Sequence, residues 1–249
     1  MTGGAGKQAE FEFDDRRTPL LSRSPAQIGL CGVSFTADPS GALYWPEQDT
    51  LIVAELHLEK GSSAASRGTL LPPYDTRATL DRLTLVIERL DPARVIALGD
   101  SFHDTDGPSR LDGEDMSTLA TLQAGRDWYW IAGNHDPELP DSVGGRVCPS
   151  VTLGRIRFRH EPVTRPASHE IAGHLHPAAR LSRRGAAVRR KCFICNGDRL
   201  VLPAFGAYAG GLNVLGDAFT PLFGHADFLV WMLGQNGVFP VSRKQLLGD

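Results

Sequence analysis

Five short polar clusters in this chain combine histidine with carboxylate or amide side chains. Each follows an apolar run, and they fall at Glu55-Leu-His57, Gly99-Asp100, Gly133-Asn-His-Asp136, His160 and Gly173-His-Leu-His176. Imidazole, carboxylate and amide oxygen without thiolate are ligands for Mn, Fe, Zn and similar divalent cations. Residues two apart on a strand share a face, so Glu55 with His57, and His174 with His176, can converge on one metal cluster. One His-x-His is weak evidence, but the ordered series indicates a metal site.

The runs before these clusters have the length and composition of β-strands. Leu51–Ala54, Arg94–Leu98 and Trp128–Ala132 are apolar, rich in β-branched or aromatic residues, and bounded by glycine or charge. Between the first two, apolar residues at helical spacing predict a helix over Asp75–Leu90. Strand–helix–strand order predicts parallel neighbours, and the carboxyl ends of such strands bring functional groups to one crevice.

The second half of the chain reads mostly as strands. Asn196-Gly197 and Asn236-Gly237 each lie between two apolar runs and predict hairpins. Further strands are expected over Ile156–His160 and Glu170–His176, and a short helix over Met116–Gln123. We therefore predict one α/β or α+β domain with two sheets.

Composition excludes several classes of protein. The chain has 249 residues, with 26 Lys or Arg against 29 Asp or Glu, a net charge of −3. This length suits a single domain, predicted over residues 26–249. The chain has no apolar stretch near the roughly 20 residues of a membrane span. Residues 1–25 lack the apolar centre of a signal peptide, so we expect a disordered tail and a cytoplasmic protein. Four unevenly spaced cysteines indicate reduced thiols.

The five clusters match, in order, the pattern of the calcineurin-like metallophosphoesterases: DxH, GD, GNH(D/E), H and GHxH. A closer resemblance, over nearly the whole chain, is to the bacterial DNA-ligase-associated metallophosphoesterases. It is carried by HLEKGSS (57–63), LLPPYDTRATL (70–80), LGDSFHD (98–104), AGNHDP (132–137), FRHEP (158–162), EIAGHLHPAAR (170–180) and LVLPAFGAYAGGLNV (200–214).

The resemblance implies two stacked mixed β-sheets flanked by helices, a metallophosphoesterase-type sandwich. It also implies a manganese-dependent phosphodiesterase and DNA endonuclease that acts in repair beside a helicase and an ATP-dependent DNA ligase. Zn or Fe would also suit the ligands. One divalent metal would be held by Glu55, His57, Asp100 and His176. Asp100 would bridge to a second, completed by Asn134, His160 and His174. His135 would remain unligated as the general acid, and Asp136 could orient its ring or cap the next turn.

The first ligand departs from the family pattern, because Glu55 stands where the family has aspartate. Two-metal chemistry needs ions about 3.5–4 Å apart, so one extra methylene could weaken the first site or change its metal preference. From the sequence we expect Glu55→Asp to keep or raise activity.

The basic residues are unevenly distributed. Residues 146–199 carry twelve Arg or Lys against three Asp or Glu, and this segment contains three of the predicted ligands. Arginine binds phosphate bidentately, so Arg183, Arg184, Arg189 and Arg190 are candidate contacts to DNA, as is His103 beside the site. The ligands leave the substrate open. A small nucleotide or phosphomonoester is the alternative substrate, and a metal-free scaffold is the third possibility.

Overall fold

A computed structural model describes residues 25–69, 71–164, 167–183, 185–224, 226–235 and 237–249, and of Arg183 only the backbone. The tail predicted over residues 1–25 therefore lies outside the described residues, apart from Pro25. Within the described ranges, none of the helices combines the length and apolarity that crossing a membrane requires.

The first sheet has seven strands, which neighbour one another in chain order. They are β1 (Ala26–Leu30), β2 (Val33–Ala37), β3 (Leu43–Trp45), β4 (Thr50–Val53), β5 (Arg94–Ala97), β6 (Asp127–Ile131) and β7 (Arg146–Cys148). The pairings from β1 to β4 are antiparallel, and those from β4 to β7 are parallel. The predicted strand–helix–strand unit is thus present.

The second sheet has nine strands. They are β8 (Val151–Leu153), β9 (Ile156–Arg159), β10 (Glu170–Ala172), β11 (Pro177–Arg183), β12 (Ala186–Cys195), β13 (Arg199–Val201), β14 (Leu212–Asn213), β15 (Leu229–Leu233) and β16 (Val238–Ser242). Strands β9, β10 and β13 are parallel to one another. Both predicted hairpins are confirmed, because β12 pairs antiparallel with β13 and β15 with β16.

Five α-helices connect the strands of the described chain: α1 (Lys60–Ser66), α2 (Asp75–Leu90), α3 (Gly107–Arg110), α4 (Gly113–Gln123) and α5 (Thr220–Phe223). Helix α2 has the predicted bounds and ends at Leu90, followed by Asp91, which has a left-handed backbone before Pro92. Helix α4 begins three residues earlier than predicted, because the Asp112 side chain accepts a hydrogen bond from the Asp115 N–H at 2.8 Å.

The core is organised in layers. Residues of both sheets, such as Ile96 and Phe158, form one cluster between them, so the two sheets are stacked. A second cluster joins the outer face of the first sheet to α2 and α4. A third packs α5 against the outer face of the second sheet. The predicted fold class, α/β with two stacked mixed sheets flanked by helices, is confirmed.

The four cysteines are free thiols. Burial raises the pKa of Cys195 to about 11, so this thiol is neutral and packs as an apolar side chain.

Candidate metal centre

The predicted ligands gather at one end of the sandwich, where parallel strands of both sheets terminate. Glu55 and His57 follow β4, Asp100 follows β5, and Asn134 with His135 follows β6. On the second sheet, His160 follows β9, and His174 with His176 follows β10. The carboxyl ends of parallel strands thus bring distant parts of the sequence together.

The backbone at these positions corrects one step of the sequence reasoning. Glu55 with His57 and His174 with His176 do not lie on strands, since β4 ends at Val53 and β10 at Ala172. Instead, five candidate ligands have a left-handed backbone: Glu55 (φ 58°), His57 (45°), Asp100 (47°), His174 (68°) and His176 (44°). Non-glycine residues adopt this conformation at a cost of about 1–2 kcal/mol each. Such strain typically clusters at functional sites.

Glu55, His57 and His176 form the first group of candidate metal ligands. The Glu55 carboxylate lies 2.6 Å from His176 Nε2 and 3.2 Å from His57 Nε2, and the two ring nitrogens are 3.3 Å apart. Glu55 and His57 come from the first sheet and His176 from the second, so this group joins the two sheets.

Asp100, His160 and His174 form the second group. His160 Nε2 lies 3.5 Å from Asp100 Oδ1, 3.1 Å from His174 Nδ1 and 2.9 Å from Asn134 Oδ1. His160 Nδ1 donates to the Leu98 carbonyl at 2.9 Å, which orients its Nε2 toward the other members of the group. This group, too, combines residues from both sheets.

Two motif glycines are required by the close approach of these ligands. A Cβ at Gly99 would lie 2.5 Å from His160 Nδ1, and the backbone of Gly99 is left-handed at φ 83°. A Cβ at Gly173 would lie 2.8 Å from Glu55 Oε1. Glycine therefore precedes Asp100 and His174 because no larger residue fits beside the ligands of the opposite sheet.

Glu55 uses both carboxylate oxygens. Oε1 accepts the backbone N–H of His174 at 2.6 Å, whereas Oε2 faces His57 and His176. Glu55 is fully buried, and burial raises a carboxyl pKa, but hydrogen bonds from His160, His176 and His57 hold the pKa of Glu55 well below its usual value. The longer side chain thus reaches a loop of the second sheet and a metal group at once. This geometry argues against the expectation that Glu55→Asp keeps or raises activity.

His135 lies at the exposed rim of the centre, and its side chain is 42% accessible. Its Nδ1 donates to the His103 carbonyl at 2.9 Å, and its Nε2 lies 3.9 Å from Asp100 Oδ2. The His103 ring stacks on the His135 ring at 5.4 Å. Burial, followed by the nearby His57, Lys60 and His135, lowers the pKa of His103 to about 4. The structure therefore places both predicted histidines where a substrate could reach them.

Asp136 does not contact the His135 ring, so the predicted orienting role is corrected. Its carboxylate is buried and accepts the backbone N–H groups of Ser101 at 2.7 Å, Phe102 at 3.0 Å and Gly133 at 3.2 Å. Asp136 therefore fixes the loops that carry Asp100 and Asn134. The His103 carbonyl is the group that orients His135.

Lys191 is a supporting residue that the sequence did not reveal. Its Nζ donates to the carbonyls of Ala204 and Gly206 at 2.8 and 2.9 Å, and the Gly206 N–H donates to the Glu55 carbonyl at 2.9 Å. Burial, then the charges of Arg82 and Lys60, lowers the pKa of Lys191 to about 8. Lys191 thus ties the second sheet to the segment that holds Glu55. No local sequence pattern indicates this long-range contact.

The arginines predicted to bind substrate lie on the β11–β12 hairpin. Arg189 Nη2 donates to the Gly211 carbonyl at 2.6 Å, while Arg190 lines a separate cleft with Leu181 and Phe239. Of Arg183 only the backbone is described, at the end of β11, and Arg184 lies outside the described residues. The structure does not bring Arg189 or Arg190 into contact with either metal group.

The donor atoms fit divalent ions. In each group of three, one atom from every residue lies within 4.8 Å of the others. Imidazole nitrogens face one another at 3.1 and 3.3 Å, and buried carboxylates lie beside them. Convergent nitrogen and oxygen donors without thiolate are characteristic of sites for divalent first-row metals. The two groups therefore support the use of divalent metal.

This fold and these ligand groups define a metal-dependent phosphoesterase. No family model matches the chain, and no curated protein matches it in sequence. Among solved structures, the nuclease MPE of Pseudomonas putida is 26% identical, with a TM-score of 0.66, over 88% of this chain and 100% of that chain. Yfce, a phosphoesterase from E. coli, is 12% identical with a TM-score of 0.40, over 78% of this chain and 98% of that chain. Together with the ordered motifs, the Pseudomonas likeness supports a calcineurin-like metallophosphoesterase, a hydrolase that acts on phosphate esters.

Proposed function

We propose that this protein is a two-metal phosphodiesterase that cleaves DNA internally. The observation that carries the proposal is the pair of ligand groups, which share one open end of the sandwich with an exposed His135. The likeness to the Pseudomonas nuclease over 88% of the chain supports a nucleic-acid substrate. We further propose a role in DNA repair beside a helicase and an ATP-dependent ligase, which rests on the motif resemblance.

Two divalent ions would be held by Glu55, His57 and His176 on one side and by Asp100, His160, His174 and Asn134 on the other. Bound there, they would supply Lewis acidity toward the phosphate and a water nucleophile at neutral pH. We propose manganese as the physiological metal, since nitrogen and oxygen ligands suit it and the resembling family uses it.

The protein's own contribution to leaving-group departure is assigned to His135. In the doubly protonated ring, Nδ1–H donates to the His103 carbonyl, so Nε2–H is the proton that can pass to the leaving oxygen, which leaves a neutral imidazole. Protonation of the leaving oxygen by a positioned imidazole typically contributes about 10²–10⁴-fold in rate. His103 stacks on this ring and limits its rotation.

The test begins with protein stripped of metal by chelation. Mn²⁺, Zn²⁺ or Mg²⁺ is then added singly, and the protein is given circular single-stranded DNA or a panel of nucleotides. A circle has no ends, so its conversion to a linear product reports internal cleavage directly. We expect Mn²⁺ to restore this conversion, and His160→Ala, which removes a ligand of the second group, to abolish it.

Two results would contradict the proposal. Hydrolysis of nucleotides with intact circles would favour the small-substrate alternative. Failure of every metal to bind or to restore hydrolysis would favour the scaffold.

A further inference from the structure

A cleft of about 520 Å³ adjoins the second metal group and shares His160 with it. The residues that line it include Asn134, His160, Arg157, Arg159, Ser150 and Glu161. Clefts of about 300–1,000 Å³ accommodate ligands of drug or nucleotide size. The cleft therefore offers room for a nucleotide next to the reaction centre.

The two arginines face this cleft because of the strand that carries them. On β9, Ile156 and Phe158 are fully buried between the sheets, so the alternate residues Arg157 and Arg159 point outward. They lie about 6.6 Å apart along the strand, a spacing comparable to that of neighbouring phosphates in an extended nucleic-acid strand. His160 follows Arg159 directly, so the basic row leads to the second metal group.

The local charge favours an anion. Arg159 Nε lies 3.3 Å from the buried Glu170 carboxylate, which is also paired with the buried Arg199. The cleft itself is lined by two arginines and one carboxylate, Glu161, so its lining carries a net positive charge. Arg157 is exposed, and its Nη2 donates to Ser150 Oγ at 3.4 Å. Pro149 and Ala132 add an apolar surface for a base or sugar.

We infer that this cleft binds the nucleotides next to the scissile phosphate, with Arg159 and Arg157 contacting successive phosphates of one DNA strand. The inference rests on the proposed function and specifies where the DNA substrate lies on the protein surface. It places the strand over β9 and not over the β11–β12 hairpin.

The test compares R157Q/R159Q with R94Q/R126Q, a control that removes two arginines from the opposite end of the first sheet. Binding of a fluorescent single-stranded oligonucleotide is measured by anisotropy in chelator, which prevents cleavage, across a series of salt concentrations. Each lost phosphate contact lowers the slope of log K against log[salt] by about 0.7 for single strands. We expect R157Q/R159Q to lower it by about 1.4 and to weaken binding at least about tenfold, whereas the control retains wild-type values.

A turnover assay separates this inference from the proposed function. In the presence of metal, the loss for R157Q/R159Q should be at least tenfold greater on DNA than on bis(p-nitrophenyl) phosphate, which is too short to span both arginines. The single variant Arg157→Gln, at an exposed position, and Arg159→Lys, which keeps the charge, guard against misfolding. Wild-type slope in R157Q/R159Q, or a larger loss in R189Q/R190Q, overturns the cleft assignment while circle cleavage by the wild type stands. Failure of the metal-loaded wild type to cleave circular DNA overturns the proposed function, and this inference with it.

Discussion

A substitution at Glu55 is the most direct test of the metal centre, because the length of this side chain is the one departure from the family's ligand pattern. Replacing it with aspartate withdraws the carboxylate by about 1.5 Å, the length of one carbon–carbon bond. The 2.6 Å hydrogen bond from the His174 N–H would then stretch to about 4 Å, beyond hydrogen-bond range. Alternatively, the carboxylate keeps that bond and withdraws from His57 and His176.

The expected loss of stability in Glu55→Asp follows from these contacts. An unsatisfied buried N–H costs about 1–3 kcal/mol, and one lost buried methylene about 0.8 kcal/mol. We therefore expect Glu55→Asp to lower the free energy of unfolding of the metal-free protein by about 2–4 kcal/mol. We also expect metal affinity at the first group to fall about 10–100-fold, as for other changes that misplace a ligand.

The assay is urea unfolding in chelator, paired with calorimetric titration of Mn²⁺ into the metal-free protein. Glu59→Asp is the matched control, since Glu59 is also buried and accepts hydrogen bonds from Thr76 and Ser62, yet belongs to neither metal group. It should lose stability but keep metal affinity. Wild-type stability and metal affinity in Glu55→Asp would refute this reasoning and restore the expectation drawn from the sequence.

Three further outcomes are expected. His135→Ala should slow single-turnover cleavage about 10²–10⁴-fold with two metals still bound in a titration; an unchanged rate removes His135 from the reaction. Asp136→Asn should lower the free energy of unfolding by about 1–3 kcal/mol, because backbone N–H groups lose an acceptor, without moving the pH–rate profile; a displaced profile would instead support an orienting role. Metal at 100 times its Kd should stabilise the fold by about 2.7 kcal/mol per site, visible as a lower Tm in chelator; equal Tm values would contradict ligation across the two sheets.

Local sequence patterns predicted the helices and strands well, and they predicted the metal centre in part. The apolar spacing in α2 and the glycine-bounded strands determine burial directly, so the bounds of α2 and the parallel pairing of β4 with β5 followed from the sequence. The clustering of His160, His174 and Asp100 followed from the rule that strand ends converge. Only the family resemblance predicted that the ligands divide into two groups, with His57 and His176 in the other group.

Other features depend on contacts that no local pattern specifies. The left-handed backbone at His57 is set by hydrogen bonds to the neighbouring loop, where its N–H donates to the Asp100 carbonyl at 3.0 Å. The role of Asp136 depends on backbone groups 34 and 35 residues away. The side of the sheet toward which Arg157 or Arg190 points depends on strand register. Charge clustering along the sequence does not reveal this register.

The left-handed ligand positions place the stability of the metal-free fold and metal binding under opposing selection. At a left-handed position glycine relieves backbone strain, whereas the metal requires histidine or carboxylate. Random mutagenesis with selection for heat resistance in chelator would therefore favour glycine at positions such as His57 and His176, and activity would be lost while the metal-free fold improved. Selection for metal binding or for catalysis retains the histidines at these positions.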